Sequence, residues 1–142
     1  MPTIRATAVS AMFAALLLAG AAQAQNAPDP APTDWSAAKT VEVTLADFSF
    51  TPKALELRAN KPYRLRLMNS AGHGHSFDAP ELFAAATIAN DDKAKIVKGE
   101  IEVEGGQTVD VTFVPNVSGA YKFHCSHFLH STFGMSGDIT VQ

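Results

Sequence analysis

Thirteen residues near the C-terminus, Phe123 to Met135 (FHCSHFLHSTFGM), hold the only cysteine of the 142-residue chain, three of its five histidines and one of its four methionines. Thiolate, imidazole and thioether are the donors that a soft or borderline metal ion takes. The same side chains could also form a thiol nucleophile beside a base, or a crowded loop with no chemistry. Two further histidines, His73 and His75, lie upstream in NSAGHGHSFD, Asn69 to Asp78. Which of these groups can meet depends on the elements that carry them.

Period-two alternation runs through TVEVTLADFSF, ALELRA, YRLRLMN, GEIEVEGG, QTVDVTFV, AYKFHC and GDITVQ, interrupted by Gly, Pro and Asn turns. That pattern predicts half-buried antiparallel strands. Seven or eight of them in about 100 residues predict an all-β fold, a Greek-key two-sheet β-sandwich. Pro80 to Ala89 (PELFAAATIA) departs from the pattern. Proline at a helix start followed by alanine-rich sequence predicts a short helix, with NDDKAK as a turn. A helix-and-loop insertion around residues 80–98 is therefore expected between the halves of the sandwich.

The beginning of the chain reads differently. Met1 to Arg5 carries one basic residue, Ala8 to Gly20 is uncharged and mostly apolar, and Ala22-Gln23-Ala24 has a small-x-small form. This predicts a secretory signal peptide over 1–24, cut after Ala24, with a retained anchor as the alternative. The apolar run is short of the roughly 20 residues of a membrane span, and no cysteine sits at the cut to take a lipid. Residues 25–38, rich in Pro, Ala and Asp, read as a flexible leader, and 39–142 as the domain. The expected product is periplasmic or secreted, monomeric, and without membrane insertion after cleavage. Cleavage would move the net charge from −3 to −4, since the segment's one charged residue is Arg5. No basic patch marks a nucleic-acid or anionic-membrane partner.

Export makes the cysteine conspicuous, because thiols in oxidising compartments usually pair and Cys125 has no partner in the sequence. Alternation puts Tyr121, Phe123 and Cys125 on one inward face, with the sulfur at a strand end and His124 turned outward. His130 and Met135 follow at intervals of five. Two histidines and a cysteine with a weak axial methionine form the ligand set of a blue copper site. One histidine must then come from His73 or His75.

Together these segments resemble the cupredoxins, the small blue copper proteins of plastocyanin, auracyanin and rusticyanin type. NSAGHGHSF is similar to the stretch in which Asn-x-Ala-Gly leads to the first copper histidine, and Cys125-x₄-His130-x₄-Met135-x-Gly137 to the second half of the motif. FSFTP (Phe48 to Pro52) and the closing GDITV also fit, so the resemblance covers about Thr40 to Gln142. It implies one Cu(I)/Cu(II) ion held by His75, Cys125, His130 and Met135, with His73 and His127 as possible alternates. Where the family often has Asn after the first histidine to steady the cysteine loop, this chain has Ser76, whose hydroxyl is the expected substitute.

The competing readings are plainer. Cys125 could be a buried structural thiol, Met135 a core filler, and Phe128, Leu129 and Phe133 a cap on the core. The aromatic and aliphatic trio also suits a docking patch around His130 for a redox partner protein. A multicopper oxidase needs several His-x-His segments and this chain has one. A cysteine hydrolase needs an exposed, activated sulfur, and structural zinc a closed Cys/His set. The expected function is one-electron transfer without enzymatic chemistry. The alternative is a periplasmic copper carrier or resistance protein, with His73, His124 and His127 as looser sites.

Overall fold

The computed structural model describes residues 33–142; the predicted signal peptide and most of the leader lie outside the described residues. At the leader's end, Trp35–Ala37 form one 3₁₀ turn, capped where the Asp34 carboxylate accepts from the Ser36 N–H.

Among the described residues the strands are β1 (Lys39–Ala46), β2 (Ser49–Thr51), β3 (Ala54–Leu57), β4 (Tyr63–Asn69), β5 (His75–Asp78), β6 (Ala86–Ile88), β7 (Glu100–Val103), β8 (Thr108–Pro115), β9 (Gly119–His124) and β10 (Ser136–Val141). They form two five-stranded sheets, ordered β2-β1-β4-β8-β6 and β3-β10-β9-β5-β7. Alternation turns Val43, Leu45, Leu65, Leu67, Val111 and Phe113 of the first sheet inward, against Leu55, Phe77, Ile101, Phe123 and Ile139 of the second. Phe77 stacks on Phe123 with centroids 4.6 Å apart, and Phe50 meets Phe123 edge-on at 4.9 Å. This aromatic group lies directly beneath the Cys125 segment and fixes the inward face of β9.

The sandwich agrees with the sequence, but three details do not. First, the sheets are mixed: β1 runs parallel to β4, and β3 parallel to β10. Alternation reports which face a residue takes and says nothing about the direction of its neighbour. Second, the helix α1 stops at Ala84 (Pro80–Ala84), and Ala86–Ile88 becomes an edge strand paired with Phe113 to Pro115. Sheet pairing overrides alanine's helical preference once Thr87 and Ile88 can join β8. Third, Asn90–Lys95 is not an open turn but a 3₁₀ segment whose Asp92 carboxylate is nearly buried. It accepts the Thr112 N–H at 2.7 Å and the Lys95 ammonium at 2.6 Å.

Period-two patterning also fails to mark β5. Its first three residues, His75, Ser76 and Phe77, are all buried, as befits a strand between β7 and β9. The chain crosses from one sheet to the other through residues 70–74, so His75 opens a strand of the sheet that also contains β9. The two metal-loving segments lie far apart in the sequence. In the fold they sit on neighbouring strands, with Asp78 opposite His124.

Candidate metal centre

Cys125 follows the last residue of β9 and Met135 precedes the first of β10, so the loop between them hangs from two adjacent strands. Backbone hydrogen bonds close it: Cys125 N–H donates to the Met135 carbonyl at 3.1 Å, and Met135 N–H to the His130 carbonyl at 3.0 Å. Leu129 takes a left-handed φ of 63° and Gly134 one of 99° to let the loop fold back. Gly137, two residues past Met135, has no room for a side chain. A Cβ there would run into the Phe123 ring and the Lys53 carbonyl.

The upstream histidine reaches this loop from β5. Asn69, buried at the end of β4, donates to the carbonyls of His73 and Val103 and accepts from the Ala71 N–H. The short turn before His75 is thereby held to both sheets. At Gly105 the backbone of this turn approaches so closely that a Cβ would lie 2.7 Å from the Gly72 carbonyl carbon.

Three donor atoms converge as a result. His75 Nδ1 lies 3.2 Å from His130 Nδ1 and 3.9 Å from Cys125 Sγ, while Cys125 Sγ lies 3.4 Å from His130 Nδ1. A point equidistant from three atoms so spaced is about 2 Å from each, a metal–imidazole bond length. His75, Cys125 and Met135 are fully buried and His130 is half-buried. Neutral imidazoles fit such a place. Burial pushes the His75 and His130 rings below the ordinary value of 6.5, leaving their lone pairs free at neutral pH. Nearby histidines push in the same direction, and Asp47 opposes them. Two imidazole nitrogens and one sulfur brought together in a largely buried pocket form a donor set that suits copper.

Comparison with known proteins identifies the family. The model of the cupredoxin-like domain matches residues 8–141. The chain belongs to the cupredoxin-like family. Among solved structures it resembles a dithionite-reduced auracyanin from the photosynthetic bacterium Roseiflexus castenholzii, at 17% identity over 75% of this chain and 98% of that one, with a TM-score of 0.58. Auracyanin B aligns at 26% identity over 74% of this chain and 89% of that one, with a TM-score of 0.56. Auracyanin A from the green thermophilic photosynthetic bacterium Chloroflexus aurantiacus, described as a "blue" copper protein, aligns at 20% identity over 72% and 98%, with a TM-score of 0.54. No curated protein sequence matches the chain.

Within this cupredoxin, Ser76 ties β5 to the cysteine loop. Its hydroxyl accepts the Ser126 N–H at 2.9 Å and lies 3.0 Å from the Ser126 hydroxyl, which donates to Glu100 at 2.9 Å. Because a carboxylate only accepts, the Ser126 proton goes to Glu100 and the Ser76 proton to Ser126. Cys125 Sγ, 3.8 Å from the Ser76 hydroxyl, is instead reached by the Ser76 N–H at 3.4 Å. Sequence reading singled out Ser76 but had no signal for Ser126 or Glu100, whose roles depend on strand adjacency.

The remaining histidines separate by surroundings. His124 is turned away from the donor triangle and pairs with Asp78 at 3.3 Å, as alternation requires. His127 is half-buried, held by both Glu102 oxygens at 3.0 and 3.1 Å. It also brings a ring nitrogen within 4.8 Å of donor atoms on Cys125 and His130, and exposed His73 does the same for His75 and His130. Around His130 the surface is apolar, with Phe128 at 86% exposure, Phe133 at 63% and Leu129 at 44%. Phe48, which the motif reading passed over as part of FSFTP, packs edge-on against His130 at 5.2 Å and Phe133 at 5.5 Å. Among the described residues no helix is long and apolar enough to cross a membrane.

Proposed function

We propose that this cupredoxin is an exported one-electron carrier that holds a single copper ion through His75, Cys125, His130 and Met135. The observation that carries the reading is the buried triangle of His75 Nδ1, Cys125 Sγ and His130 Nδ1, whose sides of 3.2 to 3.9 Å suit one metal ion. Met135, buried and bonded through its backbone to both Cys125 and His130, would add its thioether to the set. Copper in such a set cycles between its two oxidation states.

The chain's own residues do the rest. The strands and the closed loop fix the positions of the donors, so little rearrangement would accompany a change of charge. The aromatic core beneath excludes water. His130, the half-buried member of the triangle, is the exit for an electron, and Phe128, Leu129 and Phe133 form the face that a redox partner touches. Contacts of that kind are small and transient. No step breaks or makes a substrate bond, so the protein is not an enzyme in this reading. The signal-peptide pattern, with its cut after Ala24, supports delivery to the periplasm or the exterior.

Copper handling is the second reading, favoured by the ring nitrogens that His73 and His127 bring within 4.8 Å of donor-triangle atoms. Titrating the protein with Cu(II) separates the two. An electron carrier takes up one equivalent, develops an intense visible thiolate-to-copper band and loses that band in Cys125→Ser. A colourless protein that binds several equivalents is a carrier of copper.

A further inference from the structure

The hairpin joining β1 to β2 turns at Asp47 and Phe48, and both side chains reach the candidate metal centre. Asp47 Oδ1 lies 3.5 Å from His75 Nε2 and 3.4 Å from His73 Nε2. His75 Nε2 is the buried side-chain nitrogen or oxygen that lacks a well-formed hydrogen bond among the described residues. The contact to Asp47 is within ion-pair reach yet longer than a good N–H···O bond. Both sides of the hairpin are pinned. Ser70 donates its N–H and hydroxyl to the Leu45 carbonyl at 2.9 and 3.1 Å, and Phe48, held at a left-handed φ of 57°, packs on His130.

An imidazole that offers its Nδ1 lone pair to a metal must carry its proton on Nε2. That proton needs an acceptor, because the ring is fully buried. We propose that Asp47 is a positioning residue for the centre: its carboxylate takes the Nε2–H of His75 and is shared with the exposed His73, so that His73 sets how much of it His75 receives. The proposal rests on His75 being a copper ligand. A cation on Nδ1 makes the Nε2–H a stronger donor and draws the carboxylate in. The carboxylate in turn makes the ring a better ligand, and most of all for the more highly charged Cu(II).

The test is a redox titration of the copper-loaded protein, with Cu(II) and Cu(I) affinities, for Asp47→Ala, Asp47→Asn, His73→Ala and the Asp47→Ala/His73→Ala double variant. Removing a carboxylate behind a ligating histidine costs about 10- to 100-fold in metal affinity. Asp47→Ala should lose Cu(II) affinity more than Cu(I) affinity, and a tenfold difference raises the potential by about 59 mV. Asp47→Asn, which keeps an acceptor oxygen, should fall between. His73→Ala should lower the potential by leaving Asp47 wholly to His75, and should do nothing once Asp47 is alanine. In the diamagnetic Cu(I) form, the His75 Nε2–H signal should persist in wild type and Asp47→Asn and exchange rapidly in Asp47→Ala. An unchanged potential and an unchanged His75 N–H signal in Asp47→Ala would overturn the proposal while leaving the ligand set intact. A visible band that survives His75→Ala would overturn both.

Discussion

The β4–β8 side of the sandwich and the loops around Cys125 are built to different standards. On the first, Arg66 grips Asp110 with two hydrogen bonds of 3.0 and 2.9 Å, and Asp92 is satisfied by Thr112 and Lys95. Around Cys125 the structure leaves His75 Nε2 without a good partner, holds Phe48 and Leu129 at left-handed φ, and exposes Phe128 and Phe133 to solvent. Left-handed residues other than glycine cluster at functional sites, although Asn60 and Lys98 share that conformation in turns away from Cys125, and large exposed apolar groups mark contact surfaces. The scaffold is satisfied by its own residues, whereas the loop end leaves open the apolar surface that the proposed redox partner would cover.

Four variants would break or sharpen that contrast. The largest effect is expected at the boundary, where Phe123→Ala removes the ring that supports both regions. Loss of a buried Phe costs about 3–5 kcal/mol, so denaturant unfolding should show a much lower midpoint, whether or not copper is present. Ser76→Ala comes next. It deprives the Ser126 N–H of its acceptor and the Ser126 hydroxyl of a donor, at about 1–3 kcal/mol. Its distinguishing result is faster copper release, measured by chelator competition, because the cysteine loop loses its tie to β5.

Asp92→Asn probes the scaffold alone. Burial would raise the Asp92 carboxyl, but the bonds from Lys95 and Thr112 outweigh it and hold the group below its ordinary value of 3.8. A carboxyl lowered on folding stabilises the fold above its unfolded value, and that stability is lost as pH falls through the folded one. Acid unfolding followed by circular dichroism should therefore be shallower below about pH 4 in Asp92→Asn, with no change in the visible spectrum. The smallest thermodynamic effect is expected for Phe128→Ser with Phe133→Ser. Exposed sites of this kind move stability by about 0.5 kcal/mol or less, so unfolding and colour should be unchanged. Electron exchange with an apolar-faced partner should slow.

Much of the fold and of the candidate site is legible in the sequence, for reasons that are local. Strand alternation turns Cys125 inward, and His130 and Met135 stand out by their donor chemistry and their spacing from it in a short loop. His73 and His75 could not be separated by spacing. The resemblance chose His75, and the structure buries it completely while leaving His73 exposed. What stayed hidden depends on chain segments meeting in space. Asp47 reads in sequence as an ordinary turn residue, and its contact with His75 arises only because β1 and the turn after β4 are stitched together at Leu45 and Ser70. The parallel pairs β1–β4 and β3–β10 are likewise invisible to period-two patterning. Ala84 to Ala86 misled because strand pairing with β8 outweighed helical propensity.

The central claim is that the chain presents one preformed two-nitrogen, one-sulfur site that serves both oxidation states of copper. X-ray absorption at the copper edge, taken on the oxidised and the reduced protein, tests it most directly. Two imidazole nitrogens and one short thiolate sulfur are expected in both states, with little change in bond lengths between them. A shell of nitrogen and oxygen alone, or a ligand set that changes on reduction, would contradict it.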